Sequence, residues 1–498
     1  MLKCCAMASA AVVIGVVCPN DAKAQALYYR TIPLGQRAIG LATAYTGISD
    51  DPSATYYNPG GLTTGGRFQF LGSLSSIVFT RQKIEGAFDS PDIDRDLLSK
   101  SSSTLPYFVG TVVKFGKKTF GDHRFAIAYS SFEVARERFN VGFSEIRPES
   151  SGDLRLSSDY GMRWYGVSFA MQATKNVSLG ITAFLADQSF GYGEELGLAN
   201  GGMLEADVLR VGGDSVSSST DIGIQAYSFV FRLGALYRIN RRWQIGFMFQ
   251  PPGAPIKQTG SVFRRFVTSL EGTEPSYFLF DEGDLSVRAP IPFELRTGVE
   301  YKINATSTLS VDAAITGGIR DRQVFTRPSE IAAAGPRLGA YFSNSTERRW
   351  TPNFAIGAEH LFGKLVVAGG LSTNFSAAPN VPETTTEYTP DQVSIYGASV
   401  SIGVDTGGYR FTVGASGYFG RGDALSFTLD REARVTFYER EQSNFSALLA
   451  YIAGAVQIAS KGTKDAKEKI QNHKTKSARD VEPEAREQEE ESPSSDRQ

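Results

Sequence analysis

Between Ile222 and Arg238 the chain reads IGIQAYSFVFRLGALYR, and Tyr227, Phe229, Phe231, Leu233, Ala235 and Tyr237 form one unbroken apolar row. The row between them is mixed and holds Ser228, Arg232, Gly234 and Arg238. Side chains along a strand alternate between faces at period two, so one face here avoids charge while the other accepts it. A transmembrane strand needs about 9–11 residues, and tyrosines at both ends suit the two bilayer interfaces. One such segment would suit a soluble sandwich equally well. Its repetition decides.

Tyr165, Val167, Phe169 and Met171 alternate with Trp164, Gly166, Ser168, Ala170 and Gln172. Trp243, Ile245, Phe247 and Phe249 alternate with Gln244, Gly246, Met248 and Gln250. Phe293, Leu295, Thr297, Val299 and Tyr301 oppose Glu294, Arg296, Gly298, Glu300 and Lys302, a face that needs water or ion pairs. Tyr396, Ala398, Val400, Ile402 and Val404 oppose Gly397, Ser399, Ser401, Gly403 and Asp405, and Tyr409, Phe411 and Val413 oppose Arg410, Thr412 and Gly414. A soluble sandwich does not load its inner faces with Gly, Ser and charge on strands this long. A membrane barrel with a hydrated interior does.

From Arg67 onward fourteen strand candidates follow one another, and their connections alternate in length. Short ones fall at 116–121, 175–176, 240–241, 303–305, 363 and 406–408, with the Gly, Asn and Asp that tight turns require. Long ones fall at 82–104, 135–160, 192–218, 251–281, 318–349, 376–390 and 421–442. Bacterial outer-membrane barrels have short periplasmic turns and longer extracellular loops. The fold class expected is therefore all-β, a transmembrane antiparallel β-barrel of fourteen strands over residues 67–458, with both barrel ends periplasmic. The last strand, 448–458, is apolar on both faces and too short for a membrane helix.

The chain of 498 residues carries 51 basic and 53 acidic side chains, a balance that gives no electrostatic argument for nucleic acid. Lys3, the apolar residues 6–17 and Ala22-Lys23-Ala24 read as a signal peptide over residues 1–24. Cys4, Cys5 and Cys18 all precede that cleavage site, so the mature chain would hold no disulfide and no thiolate metal site. Residues 459–498 turn lysine-rich and then glutamate-rich, which reads as a charged, disordered periplasmic tail.

Residues 30–66 are rich in Gly and small side chains and lack strand alternation. A segment entering the first strand from the periplasm can fold up inside a wide barrel as a plug, so residues 25–66 are assigned as an N-terminal hatch in the lumen. This stretch resembles the FadL/TodX family of outer-membrane transporters for long-chain fatty acids and other hydrophobic compounds. The resemblance is carried by Gly35-Gln36-Arg37-Ala38-Ile39-Gly40, by Asp50-Asp51-Pro52-Ser53-Ala54, and by Asn58-Pro59 followed by Gly60-Gly61-Leu62. The phrases beginning at Gly234 and Gly298 resemble the family's strand ends. The family implies a fourteen-stranded barrel, a hatch built on these residues, and passive uptake of an apolar ligand caught near the extracellular loops. Gly60 stands where the family usually has alanine, a change that adds backbone freedom. The chain also runs past Ile458, where many barrels end on an aromatic residue read during assembly.

Asp50-Asp51 and Asn58-Pro59 are turn formers by themselves. Arg232, Glu294, Arg296 and Glu300 are lumen charges that pair with one another and the hatch, or meet a ligand carboxylate. Phe263, Phe266, Tyr277, Phe278 and Phe280 are candidate ligand-catching aromatics in a long loop. His123, His360 and His473 are scattered and no catalytic motif accompanies them, so no enzyme, cofactor or metal is expected. The expected function is a channel for hydrophobic small molecules such as fatty acids or hydrocarbons in the outer membrane of a Gram-negative bacterium. The alternative is a non-transporting scaffold for protein secretion or surface attachment. Expected partners are a hydrophobic ligand, outer-membrane lipid and the barrel-assembly machinery, with no nucleic acid and a monomeric state.

Overall fold

The computed structural model describes residues 33–458 except 91–92, 106–107, 117–123, 147–149, 201, 206–207, 212–214, 270–273, 327–337, 340 and 431–434. The signal peptide, the first part of the hatch, the turn at 117–121 and the charged tail lie outside the described residues.

Fourteen strands form the wall. They are β1 (Phe68–Ser90), β2 (Ile93–Leu105 and Phe108–Gly116), β3 (Arg124–Ile146), β4 (Ser150–Gln172), β5 (Val177–Asn200), β6 (Ser215–Arg238) and β7 (Trp243–Gln250 and Ala254–Ser269). They continue as β8 (Ser276–Ser286 and Glu294–Lys302), β9 (Ser307–Thr316), β10 (Thr351–Phe362), β11 (Leu365–Asn374), β12 (Gln392–Asp405), β13 (Tyr409–Asp430) and β14 (Val435–Ile458). Each pairs antiparallel with the next. β14 returns to β1, Ile458 opposite Phe68 and Ser443 opposite Ile84, and closes the ring. Closure leaves no strand edge in the hydrocarbon, where an unpaired N–H or C=O would cost several kcal/mol. The interruption in β7 falls at Pro251-Pro252-Gly253, and that in β8 contains Pro290 and Pro292, because proline has no N–H for the ladder.

The alternation read from the sequence is the inside and outside of this wall. Phe229 and Phe231 are 48% and 41% exposed, whereas Ser228, Val230 and Arg232 between and beside them are 2%, 0% and 1% exposed. The same split holds on β4, on the first segment of β7, and on β12. On β14, Leu448 and Ile452 face out while Leu449, Tyr451 and Ala453 face in. So continuous an apolar belt could not face water on a soluble monomer; it is the lipid-facing band of a transmembrane barrel. Trp243 and Tyr301 lie across β7 and β8 with ring centroids 4.4 Å apart, near the end of the wall that carries the short turns. No helix among the described residues is long and apolar enough to cross a membrane.

The wall is uneven in height. β1, β3 to β6, β13 and β14 run 22 to 24 residues, roughly 70–80 Å at strand rise, whereas β9 to β11 run 10 to 12 residues. The sequence assigns 82–104, 135–160, 192–218, 251–281 and 421–442 to connections, yet most of each is paired strand. Arg81 opposes Lys100 and Gln82 opposes Ser99, for example. Beyond the lipid the outer face carries charged side chains such as Arg81, Arg155 and Glu195 in place of an unbroken apolar row, so the pattern that marks a membrane strand fades while the ladder continues. On the low side, residues 317–326, 338–339, 341–350 and 375–391 fold over instead. They place Val324, Phe325, Leu338, Phe342 and Val381 in one apolar cluster with Leu154, Ile222 and Leu425 of the tall wall.

Candidate functional site: a chamber above the N-terminal segment

Residues 33–66 form helix α1 (Gln36–Gly40), helix α2 (Ala54–Tyr57) and a 3-10 turn (Pro59–Thr63), nearly all of it buried. Their partners lie on inward rows around the wall. Gln36 Nε2 donates to Thr412 Oγ1 at 2.5 Å, Asp312 Oδ2 accepts from the Tyr45 and Thr46 amides at 3.1 and 2.9 Å, and Asn58 Nδ2 donates to the Ala235 carbonyl at 2.9 Å. Gln244 Nε2 reaches the Gly47 carbonyl at 2.7 Å. Leu41, Tyr45, Tyr56 and Tyr57 share an apolar cluster with Phe132, Trp164 and Phe184.

The inward glycines have a steric reason. Leu41 lies against Gly357 and Gly370, Asn58 and Pro59 against Gly180 and Gly234, and Gly47 against Gly298, so close that a Cβ on any of these wall glycines would strike the segment's backbone or side chains. Gly60 belongs to the same set. A Cβ there would come within 2.9 Å of the Ser178 carbonyl oxygen and 3.1 Å of Ala235, so its role is close approach and not the backbone freedom expected from sequence. Water, which the sequence assigned to this face, is replaced at this level by polypeptide.

Charge holds the remainder. Arg37 bridges Asp50 and Glu359 at 2.5 and 2.9 Å, and Arg410 reaches the same Glu359 at 2.6 Å. Burial pushes the Asp50 carboxyl up, but the Arg37 guanidinium, the Tyr45 hydroxyl and Arg410 together outweigh it and hold the group below the usual range. Asp51 Oδ1 instead accepts from the Ser53 amide at 2.7 Å in an Asx turn that starts α2. Leu62 and Pro59 are buried in the 3-10 turn, and Pro52, Gly35 and Gly40 in the turns before α2 and around α1. Arg232, Glu294 and Arg296 come together. Arg232 meets Glu294 at 3.0 Å, donates to Gln250 at 2.9 Å and to the Tyr56 carbonyl, and stacks 3.8 Å from the Tyr56 ring centre. Arg296 lies 3.4 Å from Glu294 and over Tyr57. Glu300 is apart from them and pairs with Lys302 at 3.6 Å. Glu359, Asp312, Gln244 and Arg410 were not singled out in sequence as site residues; period two places all four on inward rows.

Above this segment lies a cavity of about 250 Å³. Phe139, Leu156, Phe190, Phe342 and Leu449 supply apolar walls, and Arg136, Tyr388 and Asp391 supply polar points. A second cavity of about 80 Å³ sits between residues 33–57 and the low side of the wall, beside Tyr57, Arg296 and Asp312. Asn374 and Tyr418 line both. Tyr418, on the inner face of β13, thus borders both spaces.

The loop aromatics stand elsewhere. Phe263 and Phe266 are half-buried on β7, opposite Asp281 and Phe278 of β8. Phe280 and Phe278 pack into the upper apolar cluster, and Tyr277 is 62% exposed on the outer surface. None of the five lines the larger cavity.

No family model matches the sequence, and no curated protein matches it. Among solved structures the chain is similar to a Pseudomonas aeruginosa FadL homologue, with 14% identity and a TM-score of 0.57 over 86% of this chain and 99% of that one. It is similar to the Pseudomonas putida toluene transporter TodX, with 15% identity and a TM-score of 0.55 over 87% and 100%. The Ralstonia pickettii toluene transporter TbuX gives 17% identity and a TM-score of 0.52 over 84% and 98%. Identities this low speak for fold, and the fold agrees with the resemblance carried by the N-terminal motifs: this chain has the barrel of the FadL/TodX proteins.

Proposed function

We propose that the protein is a passive outer-membrane channel for hydrophobic small molecules, with residues 25–66 as its hatch. The observation that carries this reading is the mostly apolar cavity above the N-terminal segment, with a smaller space beside that segment bordered by the same Asn374 and Tyr418. A water-filled pore offers an apolar solute no favourable surface, whereas burial in such a chamber gains roughly 25 cal/mol per Å² of apolar area. An engineered cavity of about 150 Å³ holds benzene, so about 250 Å³ takes one aromatic ring with room to spare, or an alkyl chain of similar bulk. The toluene transporters named above have the same fold, which supports a ligand of this size.

In this reading the ligand enters from the extracellular rim, rests in the larger cavity, and passes the hatch when the contacts of Arg37, Asp312 and Asn58 rearrange. Delivery to the outer membrane relies on the N-terminal signal and the barrel-assembly machinery, and the unit of transport is one barrel. The test is uptake of radiolabelled toluene by vesicles containing the full-length protein. Faster entry than into empty vesicles, abolished by filling the cavity with Ser158→Trp, is the expected result. Equal rates with and without protein would overturn the reading and favour a scaffold barrel.

A further inference from the structure

Asp391 lines the larger cavity, is 4% exposed, and has no cationic partner among the described residues. It sits immediately before β12, where the chain comes down from the low-side loop. Its Oδ2 accepts from Gln82 Nε2 at 2.5 Å and from Ser443 Oγ at 3.2 Å, on β1 and β14. Both bonds fall on the same oxygen. The Tyr388 hydroxyl, which lines the same cavity, donates to this carboxylate as well.

The cations nearby are already engaged. Arg136 and Arg138 meet Asp159 at 2.8 and 2.9 Å, and Arg136 also faces Glu133. Glu137 adds a further carboxylate to the same lining. A carboxylate ligand would therefore enter a chamber whose positive charge is spent and whose one cation-free charge is negative. A donor on an otherwise apolar ligand would find a carboxylate held only by the neutral donors Gln82, Ser443 and Tyr388. Ionised carboxylates accept hydrogen bonds and donate none, and bonds to a charged partner are the stronger kind.

Resting on the channel reading above, we infer that Asp391 is the polar pole of a ligand site that selects apolar molecules carrying one hydrogen-bond donor, such as aromatic alcohols and phenols, and rejects carboxylates. Gln82 and Ser443 position the carboxylate, and Leu156, Phe190 and Phe342 enclose the apolar body.

The test compares three ligands on one skeleton, toluene, benzyl alcohol and benzoate, by titration calorimetry of the full-length protein in lipid nanodiscs, with empty nanodiscs subtracted. Benzyl alcohol should bind on the order of ten-fold more tightly than toluene, the worth of one charge-assisted hydrogen bond, and benzoate should bind most weakly. Asp391→Leu should erase the advantage of the alcohol, so that it binds no more tightly than toluene. Asp391→Asn, which keeps the shape and the bonding to its neighbours, should relieve the penalty on benzoate; heat-modifiable gel mobility establishes that both variants are folded. Toluene binding with no preference for the alcohol, or benzoate binding as tightly as the alcohol, would overturn the role of Asp391 and leave the channel standing. No binding of any of the three above empty nanodiscs would remove both.

Discussion

The Arg37 guanidinium of α1 lies 2.9 Å from the Glu359 carboxylate on β10, with both side chains largely buried. This pair ties the N-terminal segment to the low side of the wall, and Asp50 and Arg410 extend it to four charges. Removing one member of a buried pair leaves an uncompensated charge at a cost of about 3–5 kcal/mol, more than replacing both with apolar groups would cost. Glu359→Gln should therefore loosen the segment and raise single-channel conductance in planar bilayers. The double variant Arg37→Met with Glu359→Met should conduct less than the single one. Equal conductance in Glu359→Gln and the native chain would show that this pair does not hold the segment.

The close approach of wall and segment gives a second expectation. A Cβ at Gly246 would collide with the Thr46 carbonyl, whereas one at Gly454 on β14 meets nothing within 4 Å. Gly246→Ala should cost roughly 1–3 kcal/mol through overpacking, and Gly454→Ala close to nothing. Urea unfolding from lipid vesicles checks this. Similar losses at the two positions would contradict the steric account of the inward glycines.

The lipid band makes a third. Phe231→Arg places a charge on the outer row of β6 and should cost about 2–4 kcal/mol of folding free energy in lipid, whereas Tyr277→Arg, on the exposed face of the first segment of β8 beyond the band, should cost ~0–1 kcal/mol. Comparable costs would move the membrane boundary. Ser168, the inward neighbour of Phe169 on β4, would not serve as a tolerant control. Its hydroxyl is 2.8 Å from Thr182, which in turn donates to the Thr55 carbonyl of α2.

These contrasts show what period-two alternation conveys. On β6 it identifies Phe231 as outward and Arg232 as inward, because lipid demands an unbroken apolar row on one side. It does not say what fills the inside, so Gly234 and Gly246 suggest a hydrated lumen when they are in fact contact surfaces for Asn58, Pro59 and Thr46. Nor does it follow a strand beyond the bilayer, where no lipid demands an unbroken apolar outer row, which is why Phe263 and Phe278 read as loop residues although they belong to paired segments of β7 and β8. Asp391 carries no local motif at all. Its burial depends on Gln82 and Ser443, more than 300 and about 50 residues away in the chain.

Asp391 also makes stability depend on pH. Burial pushes its carboxyl up to about 6, against the hydrogen bonds from Ser443 and Gln82 that hold it down. The folded chain then binds this proton more tightly than the unfolded chain, whose carboxylate titrates near ~3.9. The contribution is fully present below the unfolded value, declines as pH rises through about 6, and is flat above. Tyr388 and Tyr341, both pushed up by burial, remain neutral throughout this window. Unfolding curves from about pH 4 to about pH 8 should show this slope in the native chain and not in Asp391→Asn. An unchanged slope in the variant would assign it to another group.

Deletion of residues 34–66 tests the central claim most directly. The wall closes through its own ladder, β14 on β1, and does not need the segment for its hydrogen bonds. The shortened chain should keep heat-modifiable barrel mobility on gels, conduct ions through planar bilayers far better than the full chain, and lose selective uptake of toluene as water enters the chamber. A folded deletion variant that stays closed to ions, or that still takes up toluene selectively, would contradict the account.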